Sequence, residues 1–187
     1  MAKALYQLKI TLKDSSPEIW RRIIVDPDVL LVDFHRILQT TLGWTNSHLH
    51  LFHDGKYEYS PREFEVEETI DSRSVKLNEI LTGENQAILY DYDFGDGWVH
   101  DILLEKIIEE EENGQIPRCI GGERNCPPED CGGMGGYEEL LEIISDPEHE
   151  EHEGTLQWVG GSYDPEHFNM DKVNEQLSQK DYGCLWL

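Results

Sequence analysis

The chain has 187 residues, with 39 Asp and Glu against 15 Lys and Arg, for a formal net charge of −24. That charge repels the phosphates of a nucleic-acid duplex and the anionic headgroups of a membrane, so neither is an expected partner. The 38% hydrophobic and 10% aromatic content can build a core, and no apolar run reaches the length of about 18 residues that spans a bilayer.

The N-terminal stretch MAKALYQLKITLKD carries Lys throughout and has no apolar signal core, which predicts a cytoplasmic protein. Tyr6, Leu8, Ile10 and Leu12 alternate with polar residues, the period of a half-buried strand. Asp14 to Pro17 form a turn, and Ile19 to Val25 reads as the second strand of a hairpin. After Asp26-Pro27-Asp28, Leu30, Phe34, Ile37, Leu38, Thr41 and Leu42 recur at helical spacing, with Gly43 placed as a C-cap. His48–His53 and Lys56–Tyr59 read as short strands joined at Asp54-Gly55. The segment from Ser60 to Ser74 reads as loop, and Leu77–Leu81 as one helical turn. Ile88–Phe94 and the stretch from Trp98 to Glu105 alternate around the turn Gly95-Asp96-Gly97. Residues 113–136 are rich in Gly and Pro and hold Cys119, Cys126 and Cys131. Tyr137–Ile144 reads as a helix, Trp158–Gly161 as a turn, and Phe168, Val173 and Leu177 suit a final helix.

Strands mixed with separate helices predict a single α+β domain over residues 1–187. Its expected form is a roll-like mixed or antiparallel sheet wrapped on the helix Leu30–Leu42. The sheet-rich body covers 1–112, the Cys/Gly/Pro loop 113–136 and a helical part 137–187.

The spacing C-x6-C-x4-C in a cytosolic chain points to metal ligands, to redox thiols or to small residues packed in a core. Thiolates suit zinc in a tetrahedron, and His100, on a strand leading to the loop, is the expected fourth ligand, with His48, His50 and His53 as substitutes. His48-Leu49-His50 places two imidazoles on one strand face, fit to grip a metal or phosphate, or to satisfy a sheet edge. Arg21 and Arg22 point to opposite faces of their strand. Whichever is buried needs a carboxylate or serves an anion. Asp91, Asp93 and Asp96 fail as a calcium loop, because Gly95 takes a ligand position. Gly132, Gly133, Gly135 and Gly136 precede a helix without a Walker lysine, which favours tight packing over phosphate. The acidic runs Glu109–Glu112 and Glu148–Glu153 read as solvated surface, or as a face that meets a basic partner.

The runs PEIWRRIIV, LGW, HLHLF, YDFGDGWVH and CIGGERNCPPEDCGG followed by GYEEL resemble the plasmid pRiA4b open-reading-frame-three-like family over about Tyr6 to Leu177. The resemblance implies an α+β roll and an association with insertion elements, whose passenger proteins are sometimes likened by name to resolvases. A serine recombinase needs a nucleophilic Ser among Arg residues and a basic DNA-reading segment, and the charge opposes that here. The family pattern includes Arg21, His50, Asp96, Trp98, His100 and the three Cys, and assigns a role to none of them.

Three functions follow as expectations. The first is a non-enzymatic binding or accessory module that meets a basic protein partner, with His50, Arg21, Asp96 and Trp98 as binding residues. The second is a metal-dependent hydrolase or nuclease-like enzyme using Cys119, Cys126, Cys131 and His100, with Asp96 or Glu129 as base. The third is a thiol redox sensor, favoured by Arg118 and Arg124 and opposed by Glu123, Glu129 and Asp130. All of them require the cysteine loop to fold back against the Trp98–His100 hairpin.

Overall fold

The computed structural model describes residues 4–109 and 114–184. In chain order it contains β1 (Ala4–Leu12), β2 (Trp20–Val25), α1 (Leu31–Leu42), β3 (His50–His53), β4 (Glu58–Ser60), β5 (Ile70–Asp71), α2 (Leu77–Ile80), β6 (Ala87–Tyr92) and β7 (Trp98–Glu109). Beyond these lie β8 (Arg118–Glu123), α3 (Gly133–Ser145), α4 (His152–Trp158) and α5 (Met170–Leu177). Short 3-10 turns cover Arg62–Phe64, Ser72–Ser74 and Lys180–Gly183.

All eight strands join one sheet in the order β5-β4-β3-β6-β7-β1-β2-β8. Every pairing is antiparallel except β4 with β5. The hairpins follow the predicted alternation: Tyr6 lies opposite Val25 across β1 and β2, and Tyr92 opposite Trp98 across β6 and β7. A one-residue bulge in β7 opposite Gln7 and Leu8 leaves Glu105 out of register.

Helix α1 packs its predicted stripe into the core, except that Leu30 is the half-buried N-cap and Leu31 takes the buried place at the helix start. Leu31, Phe34, Ile37, Leu38 and Leu42 are buried together with Leu8, Ile10, Ile23, Ile102 and Leu104. Phe34 stacks on Phe52 of β3 at 5.7 Å. Gly43 ends the helix in the left-handed region, φ 89°, and its N–H donates to Gln39 O.

Three elements depart from the sequence reading, the first being β5, a short strand paired with β4 inside the segment read as loop. The cysteine-rich segment is not loop throughout, because β8 adds an edge strand against β2. Asn174 of α5 covers that edge: its amide donates to Cys119 O at 2.8 Å and its oxygen accepts from Cys119 N at 2.7 Å. Helix α4 forms at the end of the acidic run, inside the part expected to be helical but at a place where the sequence reading sets no particular helix. Among the described residues no helix is long and apolar enough to cross a membrane.

Candidate functional site

The cysteine loop does fold back on the β6–β7 turn, and polar contacts hold it there. Trp44 Nε1 donates to Pro127 O at 3.0 Å. The Glu129 carboxylate accepts from the Tyr92 hydroxyl and from the Thr45 hydroxyl and amide. Gly132 N donates to Asp96 Oδ2 at 3.1 Å. Gly133 sits at φ +70°, so near the turn that a Cβ would lie 2.5 Å from Asp96 O.

The loop delivers carboxylate to this junction rather than sulfur. Asp130 Oδ1 lies 3.1 Å from His48 Nε2, and Asp93 Oδ2 lies 3.7 Å from the same nitrogen. Among the described residues, His48, Asp93 and Asp130 are the one group of three metal-capable side chains with ligand atoms within 4.8 Å of one another. The predicted set of Cys119, Cys126, Cys131 and His100 forms no such group. Cys119 lies in β8, its sulfur 3.4 Å from Gly121 O. Cys126 is buried and accepts from the Arg21 guanidinium at 3.5 Å. Cys131 is half-buried at the start of α3. His100 is fully buried in β7, with Nδ1 3.2 Å from Tyr90 O and its ring edge-on to Trp44. Each of the four predicted ligands instead meets backbone or side-chain partners of its own, and their ligand atoms do not gather within 4.8 Å of one another.

The thiols are also poorly set for redox work, which uses the thiolate. Burial raises the Cys119 and Cys126 thiols above their ordinary range. Burial, with the charges of Asp96 and Asp130, pushes Cys131 up to about 12. Burial likewise brings Cys184 to about 11.

Arg21 is the inward arginine, 2% exposed, but its partners are not the expected carboxylate. Among the described residues no carboxylate pairs with it. Its N–H groups donate to the carbonyls of Thr41, Trp20 and Glu123 and to Cys126, and Phe168 covers the guanidinium at 4.2 Å. The ion pair belongs to outward Arg22, which grips Glu105 through two hydrogen bonds of 2.6 and 2.8 Å. The β7 bulge brings that carboxylate within reach. Arg21 and Trp98 are therefore enclosed, and Asp96 is occupied holding the loop.

Of the predicted binding residues, His50 is the one that lines a large cavity. This space of about 530 Å³ lies between α1, the approach to β3 and the Arg62–Phe64 turn, with His35, Arg36, His48, His50, Phe64 and Arg73 in its walls. His50 stacks flat on His35, centroids 3.4 Å apart and planes 5° from parallel. His35 has a complete set of partners. Its Nε2 faces Asn46 Oδ1 at 2.7 Å and its Nδ1 faces the Tyr90 hydroxyl at 2.8 Å. That hydroxyl also accepts from Gln39, and a neutral imidazole that accepts at Nδ1 and donates from Nε2 satisfies every group in the set. Burial agrees, lowering His35 to about 4 and His50 well below the ordinary histidine range. His50 differs in that neither ring nitrogen has a partner, although the residue is 3% exposed.

Sequence reasoning passed over His35, because its helical spacing places it in the packed face of α1. It set Asp93 aside with the failed calcium pattern and read Asp130 only as a charge opposing thiolates. The HLHLF run carried a usable signal, but its two histidines part. His48 turns to the carboxylates, while His50 stacks on His35.

The architecture defines an α+β class: one mostly antiparallel open sheet, a central helix, and a cysteine loop pinned to a Gly-Asp-Gly turn. The chain belongs to the family described as Plasmid pRiA4b ORF-3-like protein, whose match spans residues 4–172. It is 36% identical to the uncharacterized protein y4hQ of Sinorhizobium fredii, covering 100% of this chain and 96% of that one. The crystal structure of MM3350 from Methanosarcina mazei Go1, a protein of unknown function, is similar with a TM-score of 0.83 and 36% identity, covering 92% of this chain and 99% of that one.

Proposed function

We propose that the protein is a non-enzymatic binding module that seats a small ligand of mixed polarity in the histidine-lined cavity. The observation that carries this reading is His50. A neutral imidazole always presents one donor and one acceptor. Leaving such groups buried and unpaired costs about 1–3 kcal/mol each. A ligand that offers an acceptor beside a donor recovers this cost, and the Phe64 ring and Val32 supply apolar wall. The volume of about 530 Å³ falls in the range of small-molecule sites.

The test is a fragment screen followed by amide chemical shifts, on the native chain and on Val32→Trp. Val32 is half-buried and lines the cavity, so the indole fills the space. The expected result is binding that perturbs residues 46–50 and is lost in the variant. Fragment binding that Val32→Trp leaves unchanged defeats the reading.

The proposal extends to a cytoplasmic accessory role linked to plasmids or mobile elements. The word plasmid in the family's description supports that link. A net charge of −24 steers the module toward a basic protein partner. Capture of such a partner should fall between low and high salt, and equal retention at both removes the electrostatic part.

A further inference from the structure

We propose that His48, Asp93 and Asp130 form a binding site for one divalent transition-metal ion of the zinc or manganese class, at the wall of the histidine-lined cavity. The three side chains come from separate segments: the approach to β3, the β6–β7 turn and the cysteine loop. They offer one imidazole nitrogen and two carboxylate oxygens within 4.8 Å of one another. That donor set suits zinc, manganese or iron(II) and lacks the soft sulfur the sequence had pointed to.

The distances fit a shared ion. Metal–ligand bonds of about 2.0–2.1 Å at tetrahedral angles hold donor atoms about 3.3 Å apart. His48 Nε2 stands 3.1 Å from one carboxylate oxygen and 3.7 Å from the other. The nitrogen is nevertheless without a hydrogen bond to either, and its atom is buried. In a simple ion pair the ring turns its N–H onto one oxygen. Here the nitrogen lies within 4 Å of both oxygens and is hydrogen-bonded to neither.

Charge points the same way. Among the described residues no Lys or Arg pairs with Asp93 or Asp130, so two neighbouring carboxylates share a single imidazole. A dication offsets their repulsion. Asp93 is 7% exposed, and its other oxygen accepts from Gly95 N and Asp96 N, which fixes the carboxylate toward His48. A further observation lies beside the site: His50, nine-tenths buried and unpartnered, lines the same cavity as His48. Three protein ligands leave coordination positions open to water or to a ligand entering that space. The metal site stands apart from the cavity reading, since the ion alone is its probe.

The experiment is calorimetric titration of the full chain, stripped with chelator, against zinc chloride and manganese chloride. About one equivalent of at least one ion should bind. Asp130→Asn should weaken it by roughly tenfold or more. Asp130 is 69% exposed, so this variant tests the site without threatening the fold. Cys131→Ser, next in the chain, should bind as the parent does. Cobalt(II) loading adds a spectroscopic readout, expected to lack a thiolate-to-metal charge-transfer band. Failure of the parent to bind either ion, unchanged affinity in Asp130→Asn, loss in Cys131→Ser, or a thiolate band each overturns the proposal.

Discussion

Gly136 lies where the first turn of α3 meets the cysteine loop, and replacing it with Ala measures how tightly the two are joined. An ideal Cβ there would lie 1.8 Å from Cys131 O and 2.8 Å from Cys131 C. Both atoms are backbone, so no side chain can rotate away. A carbon needs about 3.2 Å from a carbonyl oxygen, which demands a shift of more than an ångström between helix and loop. Overpacking typically costs about 1–3 kcal/mol, and a backbone obstacle this close puts Gly136→Ala at about 3 kcal/mol or more. For a chain of this size that lowers Tm by about 6–12 °C. Gly135 is the control. It occupies the same helix turn, is exposed, and has nothing within 4 Å of an added Cβ. Gly135→Ala should stabilise by up to about 1 kcal/mol through helix propensity. Thermal melts followed by circular dichroism compare the two. Equal melting of Gly136→Ala and the parent, or equal loss in both variants, refutes the packing argument. Because the obstacle is the carbonyl next to Asp130, Gly136→Ala should also weaken the proposed metal site.

Arg21→Met should cost about 3 kcal/mol or more, since it strips donors from the carbonyls of Thr41, Trp20 and Glu123, whereas Arg22→Met should cost only about 1 kcal/mol for its partly exposed pair with Glu105; urea midpoints that rank them the other way contradict the assignment of the buried arginine. Burial holds His35 and His100 to about 4 in the folded state. The unfolded chain therefore binds more protons between about pH 4 and 6.5, and stability falls as pH drops through that window. The loss between pH 7 and 5 is about 2 kcal/mol for each histidine, and a flat unfolding free energy over that range counts against their neutral burial. Cys119 and Cys126 are buried with raised pKa, so a thiol reagent at neutral pH should label them only as the chain opens, at a rate that climbs with denaturant; fast labelling under native conditions restores a redox reading.

Local pattern made much of the architecture legible. Alternation through Tyr6, Leu8, Ile10 and Leu12 marks a strand because successive side chains face opposite ways, and those residues are buried on one face as expected. The stripe from Leu30 to Leu42 and its glycine stop mark α1, which begins one residue later, for the corresponding helical reason. β8 escaped because RCIGGE has no alternation: it is an edge strand whose pairing is broken by a bulge and whose far side is closed by Asn174, a residue 55 positions away. Helix α4 escaped because it buries no side chain fully, so no apolar stripe announces it.

The candidate site shows the same division. Composition established an acidic chain with a real core, and the HLH run together with the Cys/Gly/Pro segment located the region where chemistry is concentrated. Which atoms meet there was a tertiary decision. His48, Asp93 and Asp130 lie 37 to 82 residues apart and converge only because the loop is clamped to the turn by Asp96, Glu129 and Trp44. A sequence pattern records which face of its own element a side chain takes. It holds no record of which distant segment closes over that face, and that closure is what brought carboxylates to His48 and left the sulfurs apart.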